Sequence, residues 1–234
     1  PQTKFQYSCL NYITLQHIIE TITGQSLRDF AKENIFDILG MQYTDYLPTI
    51  QQQDGKWINT VACPWMDWIA PTEKQKDGSV LCGQVHDPLA RILNGGISGN
   101  AGIFSNANDI GILAAALLNG GEYNGRRILS PLGVKTMCTV PRELTAFGRT
   151  PGWDIFSPYA SNKGDLFSPN TFGHTGYTGT SIIIDPDNDT AVILLVNAVH
   201  PEDRHSIVRL RSLVANAVAA SICPPAQVYT DHYY

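Results

Sequence analysis

Three short segments of this chain carry residue types that can move protons or hold a reacting carbonyl. The first is Tyr7-Ser8-Cys9, and the second is residues 98–105, SGNAGIFS. The third, residues 172–180, places His174 among glycines at the start of a β-rich region. A phenol and an imidazole are general acid–base groups, and backbone N–H groups can stabilise an oxyanion. Each segment alone is typical of ordinary packing, so only their order, spacing and surroundings together favour a functional role.

Helical periodicity predicts six helices around these segments. The first begins just after Tyr7 and stops at Gly24, and the last covers Arg204 to Ile222. Capping residues predict the other starts. Ser26 with Asp29 begins a helix that runs through Ile35 and is ended by Gly40-Met41. A helix from Pro88 to Leu93 breaks at Gly95-Gly96, and one that begins at Ser105 stops at Gly120-Gly121. Ser130-Pro131 begins another.

Apolar residues on one side of these helices predict which faces turn inward. They are Leu10, Ile13, Ile18, Ile19 and Ile22 in the first helix, Ile110, Leu113 and Leu117 in the Ser105 helix, and Ile207, Leu210, Val214 and Val218 in the last.

Strand signals are confined to the last third of the chain. The runs Thr180–Ile184 and Ala191–Val196 flank the turn cluster 185–189, which predicts an antiparallel hairpin. A further short strand is expected to end near His174. Helices followed by strands and a final helix predict an α+β fold, in which helices pack on an antiparallel sheet.

Residues 42–86 show no clear period, and a loop of that length is usually functional. We interpret it as an excursion near a cleft. It carries Trp57, Trp65 and Trp68, whose more common role is to anchor such a loop on the body of the domain.

Composition excludes several classes of protein. The chain has 234 residues, 43% hydrophobic and 16% charged, which indicates one globular domain with a real core. Its formal net charge is -5 without a basic stripe, so nucleic acid is a poor candidate partner. No apolar run reaches membrane-spanning length.

The five cysteines contain no CxxC pair, which argues against a zinc ribbon or a redox motif. They are Cys9, Cys63, Cys82, Cys138 and Cys223. The first expectation is that they are small buried apolar residues. A disulfide between Cys63 and Cys82 is the alternative in an oxidising compartment.

In order and spacing, four blocks resemble the serine β-lactamase and D-alanyl-D-alanine carboxypeptidase superfamily, within its class C-like group of β-lactamase-related serine hydrolases. The blocks are residues 7–46, 98–131, 152–159 and 172–197. The resemblance implies a β-lactamase/transpeptidase-like fold, with residues 1–234 as a single partial domain and 224–234 as a tail. The N-terminal strands and the nucleophile helix of that fold are expected upstream of Pro1.

The family's functional residues carry over position by position. Tyr7 matches a tyrosine that acts as general base or proton relay, and His174-Thr175-Gly176 matches the K-T-G motif that holds a substrate carboxylate and tunes the tyrosine. The resemblance makes the backbone N–H of Tyr177 an oxyanion donor. Cys9 stands where the family has Asn or Asp, and Asn100 where relatives often carry His. Both are expected at the substrate.

The family's nucleophile lies in an S-x-x-K motif, and no serine here has Lys three positions later. The resemblance implies that the parent protein is a periplasmic or secreted hydrolase. It would cleave a small amide or ester, such as a D-amino-acid peptide, through an acyl-enzyme. This chain alone is expected to be inactive and to need no metal or organic cofactor. Without the N-terminal strands a sheet edge would be exposed, which favours a homodimer through that edge.

Two other interpretations stay open. One is a non-catalytic binding or scaffold module of a larger protein, favoured by Cys9 and the missing S-x-x-K. The other is metal-dependent hydrolysis, for which the sequence shows no ligand spacing. Its candidate ligands are His86, Asp87, His174, His200 and His205.

Overall fold

The structure is a computed structural model that describes residues 5–157, 163–203 and 206–222. Its helices are α1 (Cys9–Thr23), α2 (Leu27–Ala31), α3 (Asp37–Leu39), α4 (Ala107–Leu118), α5 (Pro131–Cys138) and α6 (Val208–Ser221). Its strands are β1 (Asp45–Tyr46), β2 (Thr49–Gln51), β3 (Trp57–Asn59), β4 (Ile103–Phe104), β5 (Glu122–Tyr123), β6 (Arg126–Arg127), β7 (Phe172–Thr175), β8 (Ser181–Asp185) and β9 (Thr190–Leu194).

The largest sheet in the described residues is antiparallel, with β8 between β7 and β9. Because side chains alternate along a strand, Ile184 packs with helices α4 and α5 on one face, while Ile183 packs against Ala215 of α6 on the other. The structure thus confirms the α+β fold, the predicted hairpin and the strand that contains His174.

Three predicted helix starts can be compared with the observed caps. Ser26 and Ser130 cap α2 and α5 as expected. The cap of α4 is Asn106 instead of Ser105, because Asn106 Oδ1 accepts the N–H of Asp109 at 2.8 Å. The hydroxyl of Ser105 lies 2.7 Å from that of Thr44 and is thus engaged elsewhere.

The helix predicted after Ser26 is observed as α2 and its continuation, and it ends at Gly40, as predicted. The chain continues through a π turn at Lys32–Phe36 into α3, which ends at Gly40 with φ of +75°. A second π turn covers Leu89–Leu93, where the sequence predicts a helix.

The predicted inner faces of two helices are partly wrong. No residue of α1 is buried, and its Leu10 and Ile22 are 64% and 79% exposed. In α6, Leu210 is exposed, whereas Val214 and Val218 pack on the sheet. Periodicity defines a helix, but the neighbouring elements decide which face is covered.

The excursion at residues 42–86 contains three short strands, β1, β2 and β3, and one 3-10 turn, joined by irregular stretches. Trp65 is buried and anchors the segment, but Trp68 is 75% exposed and stacks on Tyr43. Its later part lies along the chain that follows β9, where the N–H of Lys74 donates to the Pro201 carbonyl at 2.9 Å.

The described cysteines are free thiols, which corrects the alternative of a Cys63–Cys82 disulfide. Cys82 is also exposed, contrary to the expectation of a buried residue. Cys223, the start of the predicted last helix at Arg204, and the tail 224–234 lie outside the described residues. Within the described ranges, no helix is both long and apolar enough to cross a membrane.

Candidate active site

Tyr7 and His174 line one cavity of about 390 Å³, although they stand near opposite ends of the chain. Thr175, Gly176 and Tyr177 line the same cavity. The structure therefore brings together five of the seven predicted site residues.

Tyr7 is placed by the start of α1. The side chain of Ser8 accepts the N–H of Leu10, which makes Ser8 the helix cap and leaves Tyr7 on the segment just before it. Tyr7 as a residue is 42% exposed, and it lines the cavity.

The His174-Thr175-Gly176 segment is placed by β7 and a tight turn. His174 lies opposite Ile182 in the sheet, and the N–H of Gly176 donates to the Thr180 carbonyl at 2.8 Å. A Cβ atom at Gly176 would lie 2.3 Å from the Thr180 hydroxyl, so any other residue here would force that hydroxyl to move.

The imidazole of His174 is neutral at pH 7. Burial lowers its pKa below the ordinary 6.5, the cation of Arg149 lowers it further, and the backbone contact with Thr175 opposes the shift. Its Nδ1 lies 3.0 Å from the Thr175 carbonyl oxygen, so a neutral ring carries its proton there. His174 then offers Nε2 as a hydrogen-bond acceptor.

The phenol of Tyr7 is not acidified in this chain. Burial raises its pKa above 10, and the neighbouring Cys9 raises it further, while Arg149 acts in the opposite direction. Tyr7 is therefore a protonated hydroxyl at neutral pH.

The cation over the Tyr7 ring is Arg149, which the sequence analysis missed. Its guanidinium carbon lies 5.5 Å from the centroid of the Tyr7 ring and 5.7 Å from that of Phe5. Its Nε is 3.4 Å from the carboxylate of Asp154, which also accepts from the N–H and hydroxyl of Ser157. Arg149 stands in irregular chain with no motif around it, so the sequence carries no signal for its role.

Two further cations line the cavity. Arg211 is buried on α6, and its Nη2 donates to the carbonyls of Gly176 and Thr180 at 2.9 and 3.0 Å, which holds the turn after His174. Lys163 donates to the Thr171 carbonyl, and burial lowers its pKa below the ordinary value.

Tyr177 forms part of the cavity's rim. Its ring stacks on that of His86, with centroids 5.7 Å apart, and its hydroxyl donates to Asp203. These contacts join the excursion at residues 42–86 to the chain that follows β9.

Cys9 and Asn100 are not among the residues that line the cavity. Cys9 is the first residue of α1, and Asn100 Oδ1 accepts the hydroxyl of Ser98 at 2.7 Å. The segment that holds Asn100 packs on α1, because the N–H of Gly99 donates to Gln16 at 3.0 Å.

The described residues contain no group of three His, Cys, Asp or Glu side chains that could hold a metal ion. His86, Asp87, His174 and His200 form no such cluster, and His205 lies outside the described residues.

Two solved structures resemble this fold over 94% of the chain. A beta-lactamase from Mycobacterium bovis aligns with a TM-score of 0.60 at 20% identity, and the match covers 65% of that chain. Simvastatin synthase from Aspergillus terreus aligns with a TM-score of 0.61 at 17% identity over 56% of its chain. At these identities the likeness concerns the fold alone.

Sequence comparison gives a closer relationship. A candidate D-alanyl-D-alanine carboxypeptidase of Escherichia coli K12 is 36% identical over 214 residues, which are 86% of this chain and 46% of that protein. This chain thus spans about half the length of the curated relatives that it matches. The sequence profile of the beta-lactamase family matches residues 1–216, and the chain therefore belongs to the beta-lactamase family.

Proposed function

We propose that this chain supplies the proton-transfer half of a serine hydrolase that cleaves small amides or esters through an acyl-enzyme. The observation that carries the proposal is the shared cavity of Tyr7 and His174. The attacking hydroxyl would come from a Ser-x-x-Lys motif, which these 234 residues do not contain.

In this proposal the two groups have separate tasks. Tyr7 would relay the proton of the attacking serine to the leaving group, once the lysine of that motif stands beside it and lowers its pKa. Neutral His174 would accept a hydrogen bond at Nε2, and Thr175 would line the substrate strand. The backbone N–H of Tyr177 would donate to the oxyanion of the tetrahedral intermediate.

The charges of the cavity support an anionic substrate. Arg149, Lys163 and Arg211 stand on its walls against the carboxylates of Asp154 and Asp203. A substrate with a free carboxylate, such as a D-amino-acid peptide, fits this balance. Such a substrate agrees with the periplasmic or secreted location that the resemblance implies, which stays a prediction.

The test is covalent labelling of the complete protein that contains this chain. We expect a fluorescent penicillin or a fluorophosphonate to leave one stoichiometric adduct, detected by intact mass, and Tyr7→Phe to slow its formation by about a hundredfold or more. Tyr43→Phe is the matched control, because its ring keeps the stacking on Trp68. An adduct on residues 1–234 alone would contradict the missing nucleophile.

A non-catalytic module is the second candidate. The raised pKa of Tyr7 favours it, since a protonated phenol without an activating lysine binds ligands but takes no proton. The residues encoded upstream of Pro1 discriminate the two: a Ser-x-x-Lys motif there supports the enzyme, and its absence supports the module.

A further inference from the structure

The turn that carries Arg149 is attached to the strand that carries His174. Arg149 and Asp154 pair across this turn, and Asp154 exchanges both backbone hydrogen bonds with Gly173, at 2.9 and 3.0 Å. Asp154 therefore links the backbone of Arg149 to β7, at the residue that precedes His174.

The side chain of Arg149 contacts two aromatic residues near the start of the chain. Its guanidinium lies over the rings of Phe5 and Tyr7, at distances suited to a cation–π interaction. The carboxylate of Asp154 holds it on the other side at 3.4 Å, and the two side chains are only 14% and 9% exposed. The guanidinium is thus restrained by an anion and two rings.

We propose that Arg149 is the positioning residue of this site, which sets the Tyr7 phenol against β7 and places one fixed positive charge in the cavity that Tyr7 and His174 share. This proposal deepens the proposed function and rests on it in one respect, that Tyr7 is the proton-transfer group. No motif of the sequence analysis includes Arg149.

The electrostatics agree with this geometry. A fixed cation favours the phenolate of Tyr7 and disfavours the imidazolium of His174, so it lowers the pKa of both groups. Other titratable side chains face Tyr7, namely Cys9, Tyr12 and Asp87. Asp154 acts on His174, and Lys163 and Arg211 share the cavity.

The two groups can be titrated in the chain itself, without any activity. The protein would carry 3-fluorotyrosine, whose ¹⁹F signals are assigned with Tyr7→Phe, and His174 would be followed through its ring carbon shifts. We expect Arg149→Gln to raise the pKa of both Tyr7 and His174. Arg149→Lys keeps the charge, so we expect the pKa of His174 to stay near its wild-type value.

Arg28→Gln is the matched control, because Arg28 forms a similar half-buried pair with Asp45 and is not among the groups that shift Tyr7 or His174. It should leave both pKa values unchanged. If Arg149→Gln also leaves both unchanged, the proposal is overturned.

A second measurement serves if Arg149→Gln does not fold. In the wild-type chain we expect nuclear Overhauser contacts between the side-chain protons of Arg149 and the ring protons of Phe5 and Tyr7. Their absence would overturn the proposal without any variant. A complete protein that proves inactive would end the proposed function but leave these titrations to decide the role of Arg149.

Discussion

Asp154 and Gly173 exchange both of their backbone hydrogen bonds, which extends the sheet by one rung beside His174. The pairing places a buried carboxylate next to β7, where it holds Arg149 and accepts two bonds from Ser157. The turn between Arg149 and Asp154 is thereby attached to the sheet.

We expect Asp154→Ala to lower the free energy of unfolding by about 3 kcal/mol, because it leaves the guanidinium of Arg149 buried without its carboxylate. Urea denaturation measures the loss, and Asp67→Ala, at an exposed position, is the control. A loss of less than about 1 kcal/mol would show that the Arg149–Asp154 pair does not stabilise the fold.

Stability should fall in mild acid because of His174. Its pKa is lower in the folded chain than the ordinary 6.5, so the unfolded chain binds the proton first. The free energy of unfolding therefore decreases as the pH falls below about 6.5, until the pH reaches the lowered folded pKa.

We expect His174→Gln to weaken this dependence, measured by urea denaturation between about pH 5 and 7.5. His17→Gln, at an exposed position of α1, should keep the wild-type slope. An unchanged slope in His174→Gln would mean that His174 is not buried as a neutral imidazole.

Two glycine-to-alanine changes should have opposite signs. A Cβ at Gly99 would lie 2.1 Å from the carbonyl oxygen of Tyr12, so Gly99→Ala must push its segment off α1 and cost about 2 kcal/mol. At Gly111 in α4 the nearest atom would be 3.8 Å away, and Gly111→Ala should stabilise by about 0.5 to 1 kcal/mol. Thermal unfolding of both variants checks the pair, and a stabilised Gly99→Ala would contradict the packing of this segment on α1.

The thiols should differ in reactivity. Cys82 is exposed and free, whereas burial raises the pKa of Cys138 to about 11. Because the thiolate is the reactive form, N-ethylmaleimide near neutral pH should modify Cys82 first and Cys138 much later, as mapped by peptide mass spectrometry. Recovery of a peptide that joins Cys63 to Cys82 by a disulfide would contradict the free state of both thiols.

Local signals predicted local structure well. Ser26, Ser130 and Gly24 define helix ends through bonds to residues a few positions away, and the structure has all three caps. The choice of Asn106 over Ser105 at α4 could not be predicted, because it depends on a hydroxyl contact with Thr44, distant in the chain. The exposure of α1 could not be predicted either, because helical periodicity does not indicate which elements pack on a helix.

The chain's own residue order sufficed for the α+β architecture, since caps and alternation are local in sequence. Its resemblance to a known family implied that Tyr7 and the His174 segment share one site. Only the tertiary structure decided the charge at the site. Burial lowers the pKa of His174 and raises that of Tyr7, and the charge of Arg149 acts on both through space. Desolvation and through-space charge depend on which distant residues become neighbours, and no local pattern encodes that.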